Sequence, residues 1–221
     1  LLLHGSPPAF AGLDFKWLGP RIASTGRVVY SIDRPGYGGS GKFPPNYSAK
    51  ANARVALAVL EKLGIERVHV GGWSFGGAIA IWMGEYDPQR IASITMIAAT
   101  GVQEGEGSGD YTFEHIKYGA GYGLLVVLPE FLPHFGLLGP RWFRHSFIRD
   151  FWDSDQREIS AIVPNFTIPT LIVQGRSDLL VPARTAELHH DLFPRSRLVM
   201  LDGGHTAGVI PAGPDDPDMQ V

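Results

Sequence analysis

Ser74 lies within Gly72-Trp73-Ser74-Phe75-Gly76, with Val68 and Val70 alternating ahead of it and the apolar run 78–86 behind it. This pattern predicts a short buried strand, a tight turn and a helix, with the serine at the apex. A serine on so sharp a turn is held in a strained backbone conformation, and side chains two residues before or after it would collide. The turn lifts Oγ clear of the sheet and leaves the Phe75 N–H at a helix N-terminus, where it can meet an oxyanion. A serine hydroxyl is a poor nucleophile until a base takes its proton. His205, in Gly203-Gly204-His205, is the candidate base. Its far ring nitrogen must be held, and its developing charge offset, by a carboxylate. Two aspartates compete for that place. Asp178 follows a predicted strand and precedes a helix opened by Pro182, so it can reach across to a neighbouring strand end. Asp202 shares the short turn of His205, which leaves it little room behind the ring, and it is expected to close that turn instead.

The elements needed to hold these residues are legible in the same way. Strands are predicted at 1–3, 28–32, 68–70, 91–99, 170–173 and 197–201. Helices are predicted over 15–23 (broken by Gly19-Pro20), 49–63 (N-capped by Ser48), 78–86 and 182–193. Strands alternating with helices give an α/β fold with a mostly parallel, doubly wound sheet, and such sheets place ligands at the carboxyl ends of their strands. The turn His4-Gly5-Ser6-Pro7, Ser74, Asp178 and His205 all fall at such ends. The segment 101–168 breaks the alternation. It is dense in aromatics, among them Phe113, Tyr118, Tyr122, Phe131, Phe135, Trp142, Phe147, Phe151 and Trp152. It reads as a helical cap inserted between two parts of a core, residues 1–100 and 169–221.

Taken together, these motifs resemble the α/β-hydrolase fold family, in its serine-nucleophile branch. The resemblance runs from the His4-Gly5 turn, through Asp33-Arg34-Pro35-Gly36-Tyr37-Gly38-Gly39-Ser40 and the elbow, to Asp178-Leu-Leu-Val-Pro182 and Gly204-His205. It implies a triad of Ser74, Asp178 and His205, with the backbone N–H groups of Ser6 and Phe75 as the oxyanion donors. It also implies strands ahead of Leu1, so the chain reads as truncated at its N-terminus. Serine at the elbow, where the family's dehalogenases and epoxide hydrolases carry aspartate, points to acyl chemistry. The aromatic cap favours a small, largely apolar substrate and a carboxylic ester first. A C–C bond hydrolase or lactonase with the same triad is the alternative, and a non-catalytic ligand-binding member of the fold is the third reading.

Other polar residues have plainer expectations. His4 shapes the oxyanion loop, and Asp33 and Arg34 form an internally paired loop. His189 and His190 sit mid-helix and face solvent. His69, His115, His134 and His145 are scattered, without metal-ligand spacing, so no metal and no cofactor is expected. The totals narrow the function class further. At 221 residues, 44% hydrophobic and 19% charged, the chain is long enough for one large core. A net charge of −3 without a basic run argues against nucleic acid as a partner, leaving a small-molecule substrate. Cysteine is absent, which removes thiolate chemistry. The apolar stretch 119–128 is cut by prolines well short of the ~20 residues a membrane span needs. No signal peptide is legible, which favours the cytoplasm.

Overall fold

The computed structural model describes residues 1–6, 11–132 and 137–210. Phe135 and His134 lie outside the described residues. Six strands form one sheet: β1 (Leu2–Leu3), β2 (Ser31–Ile32), β3 (Val68–Trp73), β4 (Ile91–Ile97), β5 (Thr170–Gly175) and β6 (Ser196–Leu201). Their order is β2-β1-β3-β4-β5-β6, and every neighbouring pair is parallel. Because all pairs run the same way, the carboxyl ends of β1, β3, β5 and β6 face one edge. That edge receives Ser6, Ser74, Asp178 and His205.

Helices cover both faces of the sheet: α1 (Leu18–Ser24), α2 (Ala49–Lys62), α3 (Phe75–Tyr86) and α7 (Ala183–Leu192). Ser48 caps α2, its hydroxyl accepting from the Ala51 N–H at 3.2 Å. The helix buries Ala49, Ala53, Ala56 and Leu60, whereas Leu63, the last residue of the predicted helix, is exposed beyond the helix end. Helix α3 is buried from Phe75 to Gly84 because it sits between the sheet and α2. It begins at Phe75 rather than at Ala78, so the elbow leads straight into it. The main core lies on this side of the sheet. A smaller cluster of Leu2, Phe15, Trp73, Ile97, Ala98 and Val209 packs on the other.

Three expectations are corrected. The predicted strand 28–32 shrinks to Ser31–Ile32, and Val28 is exposed, since β2 is the edge of the sheet and has a neighbour on one side only. His189 does not face solvent. It is 1% exposed, its Nε2 accepts from the Val102 N–H at 3.2 Å, and burial holds its pKa down at about 4. Helix α7 turns this face onto the chain leaving β4, which the alternation of charges along 183–192 did not disclose. His190, on the exposed side, bonds Ser196 Oγ at 2.8 Å. Finally, Asp33 and Arg34 are not partners. Asp33 accepts from the Gly12 and Gly39 N–H groups, at 2.7 and 2.8 Å, while Arg34 turns inward to another helix.

Between β4 and β5 the chain contributes helices and no strand among the described residues: α4 (Tyr111–Tyr122), a π-helical turn (Gly123–Val127), α5 (Arg141–Trp152) and α6 (Arg157–Ile162). Asp110 caps α4 through the Phe113 N–H at 2.7 Å. The aromatics here divide. Tyr118 stacks on Phe151 at 5.0 Å, and Phe151 meets the Phe75 ring edge-on at 5.4 Å, whereas Phe113, Phe131 and Trp152 remain exposed. No helix among the described residues is long and apolar enough to cross a membrane.

Candidate active site

Strand β3 delivers Ser74 with φ 54° and ψ −124°, a backbone conformation that usually takes glycine. The flanking glycines are there for lack of space. A Cβ on Gly72 would stand 2.2 Å from the Gly76 carbonyl oxygen, and one on Gly76 would stand 2.1 Å from the Leu3 oxygen. Both neighbours are backbone and cannot yield, so strand, turn and helix fit only with glycine at these positions. The bend is closed by backbone bonds. Ser74 N–H donates to the Ile97 oxygen at 2.9 Å, and the Gly77 and Thr100 N–H groups donate to the Ser74 oxygen at 3.0 and 3.1 Å. The Phe75 N–H, at the first position of α3, has no acceptor inside the helix.

The loop after β1 lies against the serine. A Cβ on Gly5 would come within 2.6 Å of Ser74 Cβ and 3.2 Å of Oγ. His4, fully buried, organises this loop, and its tautomer follows from its partners. Nε2 lies 3.1 Å from the Arg34 N–H and must accept, so Nδ1 carries the proton and donates to the Gly5 oxygen at 2.8 Å. Burial, followed by the Arg34 guanidinium nearby, holds the His4 pKa down at about 3, so the ring stays neutral.

Asp178 and His205 meet across the ends of β5 and β6, with His205 Nδ1 2.9 Å from Asp178 Oδ2. Asp178 is 5% exposed, and its carboxylate also accepts from Gln174 Nε2 and from the Leu180 and Val181 N–H groups at 2.8–2.9 Å. Burial works to raise its pKa. The bonds from His205 and the two amides outweigh that, and the net shift is downward. An ionised carboxylate only accepts, so the imidazole proton belongs on Nδ1 and Nε2 presents a lone pair. The His205 ring lies 5.4 Å from the Trp73 ring, and Trp73 Nε1 donates to the His205 oxygen at 2.9 Å, which ties this loop to the residue before Ser74. Asp202 points away. Its side chain is fully exposed and its ion-pair partner is Arg176, at 3.5 Å. No hydrogen bond joins Ser74 Oγ to another side chain among the described residues.

Reading the sequence missed one residue beside this site. Asp150, on α5, is fully buried and accepts from Ser6 Oγ at 2.6 Å, from Tyr37 Oη at 2.5 Å, and from both terminal nitrogens of Arg34 at 2.9 and 3.2 Å. No group of His, Asp and Glu that could hold a metal ion occurs among the described residues. A cavity of about 570 Å³ is lined by Leu1, Val28, Tyr30, Ile65 and Val70, among others; Ser6, Ser74, Asp178 and His205 are not part of its wall.

Comparison with known proteins agrees with this architecture. The chain is 27% identical over 205 residues to a 2-hydroxy-6-oxononadienedioate/2-hydroxy-6-oxononatrienedioate hydrolase of a Pseudomonas species, covering 82% of this chain and 72% of that protein. It is 35% identical over 106 residues to the dihydrolipoyllysine-residue acetyltransferase component of the acetoin cleaving system of Pseudomonas putida, covering 47% of this chain and only 27% of that longer protein. An esterase from Exiguobacterium antarcticum has the same fold, with a TM-score of 0.70 at 21% identity, covering 92% of this chain and 83% of the esterase. Residues 1–119, the stretch holding the Gly5–Ser6 loop and the elbow, match the family model of the alpha/beta hydrolase fold, and the chain belongs to that family.

Proposed function

We propose that the chain is a serine hydrolase that cleaves a carboxylic ester of a small, largely apolar substrate through an acyl-enzyme. Ser74 Oγ attacks the carbonyl carbon as His205 Nε2 takes its proton. Asp178 holds the imidazole by Nδ1 and offsets the charge that forms on it. The Ser6 and Phe75 N–H groups receive the oxyanion of the tetrahedral intermediate. Collapse expels the alcohol, which takes the proton from His205. Water, deprotonated by the same imidazole, then releases the acid and restores Ser74. The observation that carries this reading is the Asp178–His205 hydrogen bond at 2.9 Å, beside a serine held at positive φ. The helical segment 101–168 acts as the cap, and its Tyr118 and Phe151, stacked together with Phe151 against Phe75 of α3, favour an apolar acyl or alcohol part.

One observation favours a second reading, hydrolysis of a C–C bond with the same residues: the similarity over 82% of this chain to a protein named as a 2-hydroxy-6-oxononadienedioate/2-hydroxy-6-oxononatrienedioate hydrolase. The test sets a short-chain p-nitrophenyl ester beside a 2-hydroxy-6-oxo-dienoate, for wild type and Ser74→Ala. Ester turnover that vanishes in Ser74→Ala supports the esterase. Dienoate turnover greatly exceeding ester turnover would replace it with the C–C hydrolase. Turnover that survives in Ser74→Ala would remove both.

A further inference from the structure

Asp150 is a charged residue at the centre of a buried network that the proposed reaction does not use directly. Its partner Arg34 is 1% exposed and reaches the site by two routes. Arg34 Nη2 donates to the Gly5 oxygen at 2.8 Å, and the guanidinium lies 5.1 Å from the centre of the Phe75 ring. The Gly5 oxygen and the Ser6 N–H belong to one peptide unit. In a trans peptide they point in opposite directions. Holding the oxygen therefore fixes the direction of the N–H, in a loop that lies against Ser74, where a Cβ on Gly5 would stand 3.2 Å from Oγ. His4 Nδ1 holds the same oxygen, and Asp150 takes Ser6 Oγ directly. Three contacts thus fix one peptide plane, two of them through Asp150 or the arginine it pairs with. The arrangement is also costly. Both charges are desolvated, and Arg34 Nε is buried without a hydrogen-bond partner among the described residues. An apolar pair would anchor α5 at lower cost but would not orient a carbonyl.

We infer that Asp150 is a positioning residue: through Arg34 and Ser6 Oγ it fixes the Gly5–Ser6 peptide so that the Ser6 N–H is aimed at the oxyanion. This rests on the serine-hydrolase reading above. It also makes α5, far away in sequence, part of the oxyanion machinery rather than only a cover. Oxyanion donors act on the transition state more than on bound substrate. A misaimed donor therefore lowers kcat and leaves KM nearly unchanged.

The test compares Asp150→Asn and Ser6→Ala with Asp153→Asn. Asp153 anchors the end of the same helix through Arg149 and the Tyr47 N–H and does not touch the Gly5–Ser6 peptide. Kinetics on p-nitrophenyl butyrate, inhibition by an alkyl trifluoromethyl ketone and the Ser6 amide resonance are measured on each. Asp150→Asn should lose about 10–100-fold in kcat, below the 10²–10³ of deleting a donor outright, with KM within about threefold. Its ketone affinity should fall in parallel, and the Ser6 amide should shift. Ser6→Ala keeps the backbone donor and removes only the tie to Asp150. It should lose about 3–10-fold in kcat and remains informative if Asp150→Asn does not fold. Asp153→Asn should stay within about threefold on every measure. Wild-type kcat and ketone affinity in Ser6→Ala, or equal losses in Asp153→Asn, would overturn the proposal. A wild type that neither turns over the ester nor binds the ketone, while the Ser6 amide still shifts in Asp150→Asn, would strike the hydrolase reading and leave the orienting contact standing.

Discussion

Among single residues, the site depends on which groups touch. Asp178 reaches His205 from the next strand end, whereas Asp202 leaves its own turn for solvent. Asp178→Asn should therefore lower kcat by up to ~10⁴, because an amide in that place admits the wrong imidazole tautomer. Asp202→Asn should cost no more than ~10-fold, and steady-state kinetics on one ester decides between them. The strain at Ser74 has its own consequence. A non-glycine residue at φ 54° costs on the order of 1–3 kcal/mol, which glycine would not incur. Ser74→Gly should accordingly abolish turnover and raise stability by about 1 kcal/mol, measured by urea unfolding. A variant no more stable than wild type would show that the elbow is relaxed. Ser74, Asp178 and His205 stand out in the sequence because each sits in a local pattern tied to a strand end. Asp150 has no such pattern. It is one polar residue in an amphipathic helix, and its partners Arg34 and Ser6 are 116 and 144 residues away.

At the scale of elements, close backbone approach explains more than propensity does. The elbow fits beneath the β1 loop only because Gly76 lacks a side chain, with the Leu3 oxygen 2.1 Å from where its Cβ would be. Gly76→Ala should therefore cost about 1–3 kcal/mol, and it should depress kcat as well, since the same shift moves Phe75 and the Ser74 turn. Unchanged stability and kinetics would contradict the packing described here. Elements with a strong internal signal are where the sequence places them; α2, with its Ser48 cap, runs over Ala49–Lys62. The misses are tertiary. Val28-Val29-Tyr30 reads as a buried strand because it is apolar, yet it flanks the sheet edge, where ladder bonds are available on one side only. His189 reads as surface because it sits mid-helix beside His190, yet one face of α7 is pressed onto the chain after β4.

Across the whole molecule, buried titratable groups make stability depend on pH. His4 and His189 are held neutral, at about 3 and about 4 against an ordinary 6.5. Each takes up a proton on unfolding between those values and 6.5, so each destabilises the fold as pH falls. The Glu106 carboxyl runs the other way. Burial, partly offset by a hydrogen bond from Gln156, raises it from 4.5 to about 7, so unfolding releases its proton between those values. Near pH 5.5, two protons taken up by these rings against one released by Glu106 leave a net uptake of about one from these three groups, and burial lowers the His145 pKa in the same direction as the other rings. Stability should fall by about 1.4 kcal/mol from pH 6 to pH 5. His189→Gln should flatten that slope, and urea titrations at the two pH values check both. A wild type equally stable at pH 5 and pH 6 would contradict the burial of these rings. Asp178, its pKa shifted downward, stays ionised throughout this window and keeps its hold on His205.

Whether Ser74 carries the covalent step is tested most directly by intact-protein and peptide mass spectrometry after treatment with an alkyl fluorophosphonate. One phosphonyl adduct per chain is expected, located on Ser74, lost in Ser74→Ala and formed much more slowly in Asp178→Asn. An adduct on another residue, or labelling that persists in Ser74→Ala, would contradict it.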